Sequence, residues 1–206
     1  MIKKLHLHHG SLFTISKNLK LNGKKAIKKP IKYTRKQILD GNIDNHIGSL
    51  GYGFYTFLDD YKLAYDFEKK FIHEAHDRVV VFELDVEVSE DNLLVLDGEN
   101  YDSKQFRKWL ALPEIQKSIK FYKEKQKINN TGKQNSLDGI LIELYCSLLA
   151  EVWGTKIEVV KAPTHTSIDG MKVSGIMNGI EVLIKDPEVI VDGTFKEYKL
   201  EEKTHG

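Results

Sequence analysis

Val79-Val80-Val81-Phe82-Glu83-Leu84-Asp85-Val86-Glu87-Val88 opens on β-branched residues and then alternates apolar with acidic side chains. That period of two predicts a strong strand. Before it, Asp59 and Asp60 are N-cap types, and Leu63, Phe67 and Phe71 recur every four residues. These predict a helix with one buried stripe, ending near Asp77. After it, Leu93-Leu94-Val95-Leu96 reads as a second, shorter strand. Residues 3 to 9 alternate as well, with Leu5 and Leu7 on one face and His6 and His8 on the other. Gly41 to Gly53 is rich in Gly and Asn and reads as loop. From Ser103 to Trp153 the period is helical. Pro113 separates two pieces, Ser136 opens a helix carrying Ile140, Leu141, Leu144, Leu148, Leu149 and Val152, and Gly154 suits its end. Lys156 to Val160 predicts another strand, and residues 171 to 191 predict two more around the turn Asn178-Gly179. No repeat, heptad pattern or low-complexity linker interrupts this order. Strands outnumber helices and the helices are interspersed, so the class expected is α+β.

The chain has 206 residues, enough to bury a core as one domain over 1–206. Its 31 Lys+Arg nearly balance 30 Asp+Glu, so net charge names no partner. Cys146 is the only cysteine, which rules out an intrachain disulfide and fits a reducing compartment. The two early lysines are not followed by an apolar run of signal-peptide length, and nothing approaches the ~18 uninterrupted apolar residues of a membrane span. The expectation is a cytoplasmic protein with no membrane partner. Charge is locally uneven: residues 17 to 36 carry nine Lys and Arg, no acid, and Pro30 at the centre, which reads as a basic loop or broken helix. Residues 117 to 133 form a second basic stretch.

Three short motifs stand apart from this framework. His9-Gly10-Ser11 reads as a turn after the first strand. Gly51-Tyr52-Gly53-Phe54-Tyr55 is a glycine-rich aromatic loop followed by a helix bearing Ala64-Tyr65. Glu181 heads the apolar run Val182-Leu183-Ile184, with Asp186-Pro187 as the turn after it. In this order they resemble the His-Tyr-Glu signature of ADP-ribosyltransferases of the diphtheria-toxin and poly(ADP-ribose) polymerase type. The resemblance covers both ends of the chain but not residues 98 to 155. It implies split antiparallel β-sheets around an NAD cleft, with 103–153 as a helical insertion.

The resemblance also implies a reaction, in which the bond between nicotinamide and ribose breaks and ADP-ribose passes to a nucleophile. An oxocarbenium-like sugar of that kind calls for nearby negative charge. Glu181 is expected to accept a hydrogen bond from the ribose 2′-hydroxyl and stabilise the cation. Tyr55 and Tyr65 are expected to enclose the nicotinamide ring, with Gly51 and Gly53 letting the backbone approach. His9 is expected on the adenosine ribose, the Gly10 backbone on the nicotinamide amide, and the Ser11 hydroxyl near that amide. The catalytic set is thus Glu181, Tyr55 and His9. The set holding NAD is His9, Gly10, Ser11, Gly53, Tyr55 and Tyr65.

No metal is expected: His6 and His8 share a strand face, but no Cys or carboxylate lies at ligand spacing. Gly179 stands where a subclass with an Arg-Ser-(Glu-x-Glu) pattern has a glutamate, although Thr166-Ser167 loosely resembles its middle motif. The polymerases' elongation loop is not identifiable, so single transfer is expected.

The basic stretches, with Tyr33, Phe121 and Tyr122 as stacking platforms, favour a nucleic-acid acceptor over a protein. The family implies an intracellular toxin of a toxin–antitoxin or phage-defence system, held in check by an antitoxin protein. An NAD glycohydrolase, a non-catalytic module binding nucleic acid or a partner, and a domain in which the motifs coincide by chance remain open on the sequence.

Overall fold

The computed structural model describes residues 1–43, 47–73, 77–129, 136–164 and 177–199. In chain order the elements are β1 (Ile2–Leu12), α1 (Phe13–Asn22), α2 (Arg35–Leu39), β2 (Phe54–Leu58), α3 (Tyr61–Lys69), β3 (Val79–Ser89) and β4 (Leu93–Val95). There follow α4 (Tyr101–Leu110), α5 (Pro113–Asn129), α6 (Ser136–Trp153), β5 (Val159–Thr164), β6 (Gly179–Ile184) and β7 (Lys196–Glu197). The mixture of strands and interspersed helices is the expected α+β class. The strands join in one seven-stranded sheet of order β4-β5-β6-β2-β1-β3-β7, rather than in two separate sheets. All neighbours are antiparallel except β4 and β5.

Alternation along each strand assigns the two faces of the sheet. On one face Leu7, Leu84, Val86, Val182, Ile184 and Val159 form a buried cluster, closed by Ile27, Ile190 and Phe195 from irregular segments. The opposite face carries the helices. Trp109, Ile115, Ile140, Leu141 and Leu144 pack there with Leu94, Val160 and Leu183 in the largest apolar cluster. The described residues of 103–153, expected as an insertion, therefore build the main core against the sheet.

Local chemistry explains where the helices begin and stop. Asp60 caps α3 by accepting from Leu63 N at 2.8 Å, and Asn100 caps α4 by accepting from Ser103 N at 2.8 Å. Gly154, at φ +67°, ends α6. Helix α3 stops at Lys69 rather than near Asp77. Phe71 N and Ile72 N bond three residues back, to Glu68 O and Lys69 O, which tightens and closes the last turn. Phe71, third member of the expected stripe, is 47 % exposed.

The basic segment is the expected broken helix: it begins within α1, passes through a short 3-10 turn, Gly23–Ala26, and extended chain, and ends in α2. One other local expectation changes. Asn178-Gly179 is not a tight hairpin: Gly179 opens β6 opposite Thr164, and β6 lies between β5 and β2. Residues 171–176, expected as a strand, and Thr166-Ser167 fall outside the described residues.

A strand fork as the candidate functional site

β1 has two very different edges. Toward β3 it is paired at eleven positions, from Ile2↔Ser89 to Leu12↔Val79. Toward β2 it is paired only at Leu7↔Leu58 and His8↔Phe57. Beyond His8 the strands part. β1 stays with β3, and β2 runs back to Phe54 against β6, from Phe57↔Glu181 to Phe54↔Ile184. His9-Gly10-Ser11, expected as a turn, is thus the free edge of a strand, and Phe54-Tyr55 is the facing strand rather than loop.

The ladder fixes which backbone groups point into this fork. Asp59 N donates to His6 O at 3.0 Å, toward β2, and Phe13 N donates to Arg78 O at 2.7 Å, on the β3 side. In an antiparallel strand these directions alternate. The amide and carbonyl of Gly10 therefore face the fork, as do the amide of Leu12 and the carbonyl of Tyr55. The Leu12 amide is taken by Glu68 Oε1 at 3.2 Å. Tyr55 O accepts from His9 Nδ1 at 2.8 Å, so the imidazole spans the opening where a Gly10–Tyr55 ladder pair would have formed. With Nδ1 donating, Nε2 is left as an acceptor. Burial holds the imidazole pKa down to about 4 against the opposing pull of the Tyr55 carbonyl, so His9 is neutral near pH 7. Its ring lies on Phe54, with centroids 4.1 Å apart. Gly10 is required on its helix side, where a Cβ would stand 2.2 Å from Ala64 O of α3.

Tyr55 and Glu181 send their side chains to the helix face of the sheet, the face opposite to His9 and Phe54. Tyr55 Oη donates to Gly51 O at 2.8 Å and accepts from Leu50 N at 3.0 Å. Burial pushes its pKa up, so it stays a neutral phenol. Glu181 is 6 % exposed and its Oε2 accepts from Ser49 Oγ at 2.5 Å. Burial raises the carboxyl pKa and the Ser49 bond opposes the rise. A carboxylate held under this strain is a candidate for chemistry.

The loop from 47 to 53 covers this pair and is fastened from two sides. A Cβ on Gly48 would stand 2.2 Å from Tyr55 Oη, and one on Gly139 of α6 would stand 1.9 Å from Gly48 O. Glu143 of α6 accepts from Tyr52 N at 2.7 Å and is ion-paired with Lys185, which follows β6. Gly53 touches the sheet instead: its Cβ would meet Ile184 O at 2.5 Å. Ser49, Glu143 and Lys185 were missed by sequence reasoning. The one legible signal was Gly139, a glycine inside a helix, which marks a close backbone approach.

Tyr65 does not join this set. It is 41 % exposed on α3 and lines a separate groove with Tyr61, Arg78, Val79 and Tyr198. Ser11 is buried beside the fork, and its Oγ donates to Leu12 O at 3.4 Å. Cys146 is buried behind Glu143, and burial pushes its thiol up to about 12, which leaves it unreactive.

The basic segment reaches the other side of the Glu143–Lys185 pair. A cavity of about 400 Å³ lies there, lined by Lys29, Lys32, Arg35, Lys156, Lys185 and Asp186 among others. Part of its charge is met internally. Lys29 approaches Asp186 at 3.2 Å, and Lys156 also pairs with Asp186, whose carboxyl is held down to about 2 as those bonds outweigh burial. Of the expected stacking residues, Phe121 is exposed, Tyr33 lies beside Tyr52, and Tyr122 is buried in the core, where no base can reach it.

Among known families, curated proteins and solved structures, none matches this chain. The described residues contain no helix long and apolar enough to cross a membrane.

Proposed function

We propose that this chain is an NAD-dependent mono-ADP-ribosyltransferase, and that nucleic acid is its acceptor. The observation that carries the reading is the fork. β1 leaves β2 at the His9-Gly10-Ser11 motif, which turns the Gly10 amide and carbonyl toward a gap bridged by His9. A carboxamide presents one donor face and one acceptor, and a strand-edge glycine is its complement. His9 Nε2 is the acceptor for a ribose hydroxyl. Glu181, on the strand next to Tyr55, projects from the face opposite to His9; in this reading the dinucleotide reaches both faces through the open fork, and this carboxylate stabilises the sugar cation once nicotinamide leaves.

In this reading Tyr55 holds the 47–53 loop through its hydroxyl while its backbone carbonyl orients His9. Glu181 reaches a ribose only when Ser49 turns away, so substrate binding includes displacement of that hydroxyl. The cavity beside Lys32 and Arg35 supports an anionic acceptor, since phosphates are met by Lys and Arg. Neutralisation by an antitoxin protein and a cytoplasmic site of action belong to the same proposal.

The test is incubation with NAD labelled in the adenosine moiety and whole-cell extract, followed separately by nuclease and protease. Label that becomes macromolecular, is released by nuclease and is lost in Glu181→Gln supports the proposal. Release by protease alone replaces the acceptor. Free ADP-ribose without labelled macromolecule makes the chain a glycohydrolase. No consumption of NAD removes the reading.

A further inference from the structure

The face of the sheet that carries Glu181 also carries a patch of a different kind at the β1/β3 ladder. His6 and His8 are two apart on β1, so their side chains share that face. Their direct partners across the ladder are Asp85 and Glu83. Register thereby sets two imidazoles beside two carboxylates. One ligand atom from each of His6, His8 and Glu83 lies within 4.8 Å of the other two.

His8 is the telling member. It is 4 % exposed, and neither ring nitrogen has a hydrogen-bond partner among the described residues. A buried imidazole with both nitrogens unsatisfied is unfavourable, and native cores rarely leave one. His6 is arranged as a ligand is. Its Nδ1 is held by Asp85 Oδ1 at 2.7 Å, which leaves Nε2 facing Glu83 Oε2 at 3.9 Å. A carboxylate on the far nitrogen is the partner that orients a metal-binding histidine. Lys196 engages the other oxygen, Glu83 Oε1, at 3.2 Å, so Oε2 is the one turned to the histidines. Tyr198, with its ring 5.2 Å from that of His8, walls the patch.

We propose that His6, His8 and Glu83 bind a divalent metal ion of the zinc type. Two nitrogens and one carboxylate oxygen match its preference, with a water completing four-coordination. Ligands ~2.0–2.1 Å from one ion lie closer together than the distances above. Rotation of His6, whose side chain is 44 % exposed, brings them in. Sequence spacing shows no carboxylate near the two histidines because Glu83 is supplied across the ladder. The bound ion fastens β1 to β3 beside the fork, and this site stands independently of the proposed transferase activity.

The full chain, freed of metal by a chelator, is titrated with Zn²⁺ in a calorimeter and with Co²⁺ by its visible absorption. Thermal melts are recorded at rising Zn²⁺. One ion per chain is expected, with a Tm that climbs with Zn²⁺ concentration. His6→Ala and Glu83→Gln each lower affinity at least ~10-fold, and Asp85→Asn lowers it ~10-fold through the orientation of His6. His73→Ala leaves binding unchanged. The His6 side chain is 44 % exposed and Gln matches Glu83 in shape, so both variants keep the fold and their circular dichroism. Equal Zn²⁺ affinity in the parent, His6→Ala and Glu83→Gln, or no stoichiometric binding by the parent, overturns the site.

Discussion

The two edges of β1 differ in what they ask of the same residues. On the β3 side every position from Ile2 to Leu12 is paired, and Leu84, Val86 and Val88 carry the apolar cluster beneath it. On the β2 side pairing stops after His8, and the next residues are an imidazole, a glycine and a serine. A closed ladder satisfies backbone groups and contributes to stability. The opened one leaves the Gly10 amide and carbonyl without a partner on β2, while Glu68 takes the Leu12 amide and His9 the Tyr55 carbonyl. Under the proposed function, one strand serves as scaffold along one edge and as recognition surface along the other, and substitutions on the two sides should separate stability from activity.

The largest effect is expected at the carboxylate of Glu181, on the helix face of the sheet. Glu181→Gln should lower kcat for transfer by ~10²–10³-fold, the scale of losing one transition-state electrostatic contact, measured as NAD turnover. It should leave the chain folded. It should also change the pH dependence of stability. The folded carboxyl has a pKa raised above its ordinary 4.5, so the unfolded state binds fewer protons once pH rises past that value. Stability attributable to Glu181 therefore falls as pH rises through the raised pKa, and the glutamine variant should lose that slope in urea titrations across the window. A slope unchanged by the substitution would show that Glu181 is already ionised at no cost.

On the closed edge Leu84→Ala should do the reverse. It removes a side chain 1 % exposed and should cost ~2–5 kcal/mol by urea unfolding, while the surviving folded fraction keeps its kcat. Gly10→Ala tests both edges at once. Its Cβ would stand 2.2 Å from Ala64 O, and pushing α3 outward should cost ~1–3 kcal/mol and raise KM for NAD together. A variant as stable as the parent would mean that α3 is not seated on the strand.

His9→Ala should raise KM for NAD ~3–10-fold with little change in melting temperature, the scale of one hydrogen bond. A large drop in Tm instead would make His9 a structural bridge to Tyr55. The smallest effect is expected at Tyr65. It is 41 % exposed and away from the fork, so Tyr65→Ala should stay within ~0.5 kcal/mol of the parent and leave KM for NAD unchanged. A clear rise in KM would bring the nicotinamide ring to α3, as the family resemblance implies.

Much of the framework was readable in the chain because it is local. The alternation of residues 79–88, the caps at Asp60 and Gly154 and the break at Pro113 all fall where the structure has them. What misled was equally local. His9-Gly10-Ser11 looks like a turn because Gly and Ser favour turns, yet β3 holds it extended to Leu12. The Leu63–Phe67–Phe71 stripe predicts a longer helix, but the last of these finds no core to enter. His9, Tyr55 and Glu181 were singled out from sequence as an ordered set, but not that His9 projects from the face opposite to the other two, and Ser49, Glu143 and the fastening of the 47–53 loop were not legible at all.

By itself, the sequence determined most of the strands and helices and their order, though not β2 or the extended run of β1 through Ser11, since periodicity and capping act over a few residues. Only the tertiary structure decided that β2 would lie between β1 and β6, that the ladder would open after His8, that His9 and Glu181 would project from opposite faces, and that Glu83 would meet His6 and His8. Those outcomes depend on strand adjacency and register. A one-residue slip sends every side chain of a strand to the other face, and no local pattern in this chain records which register the packed core selects.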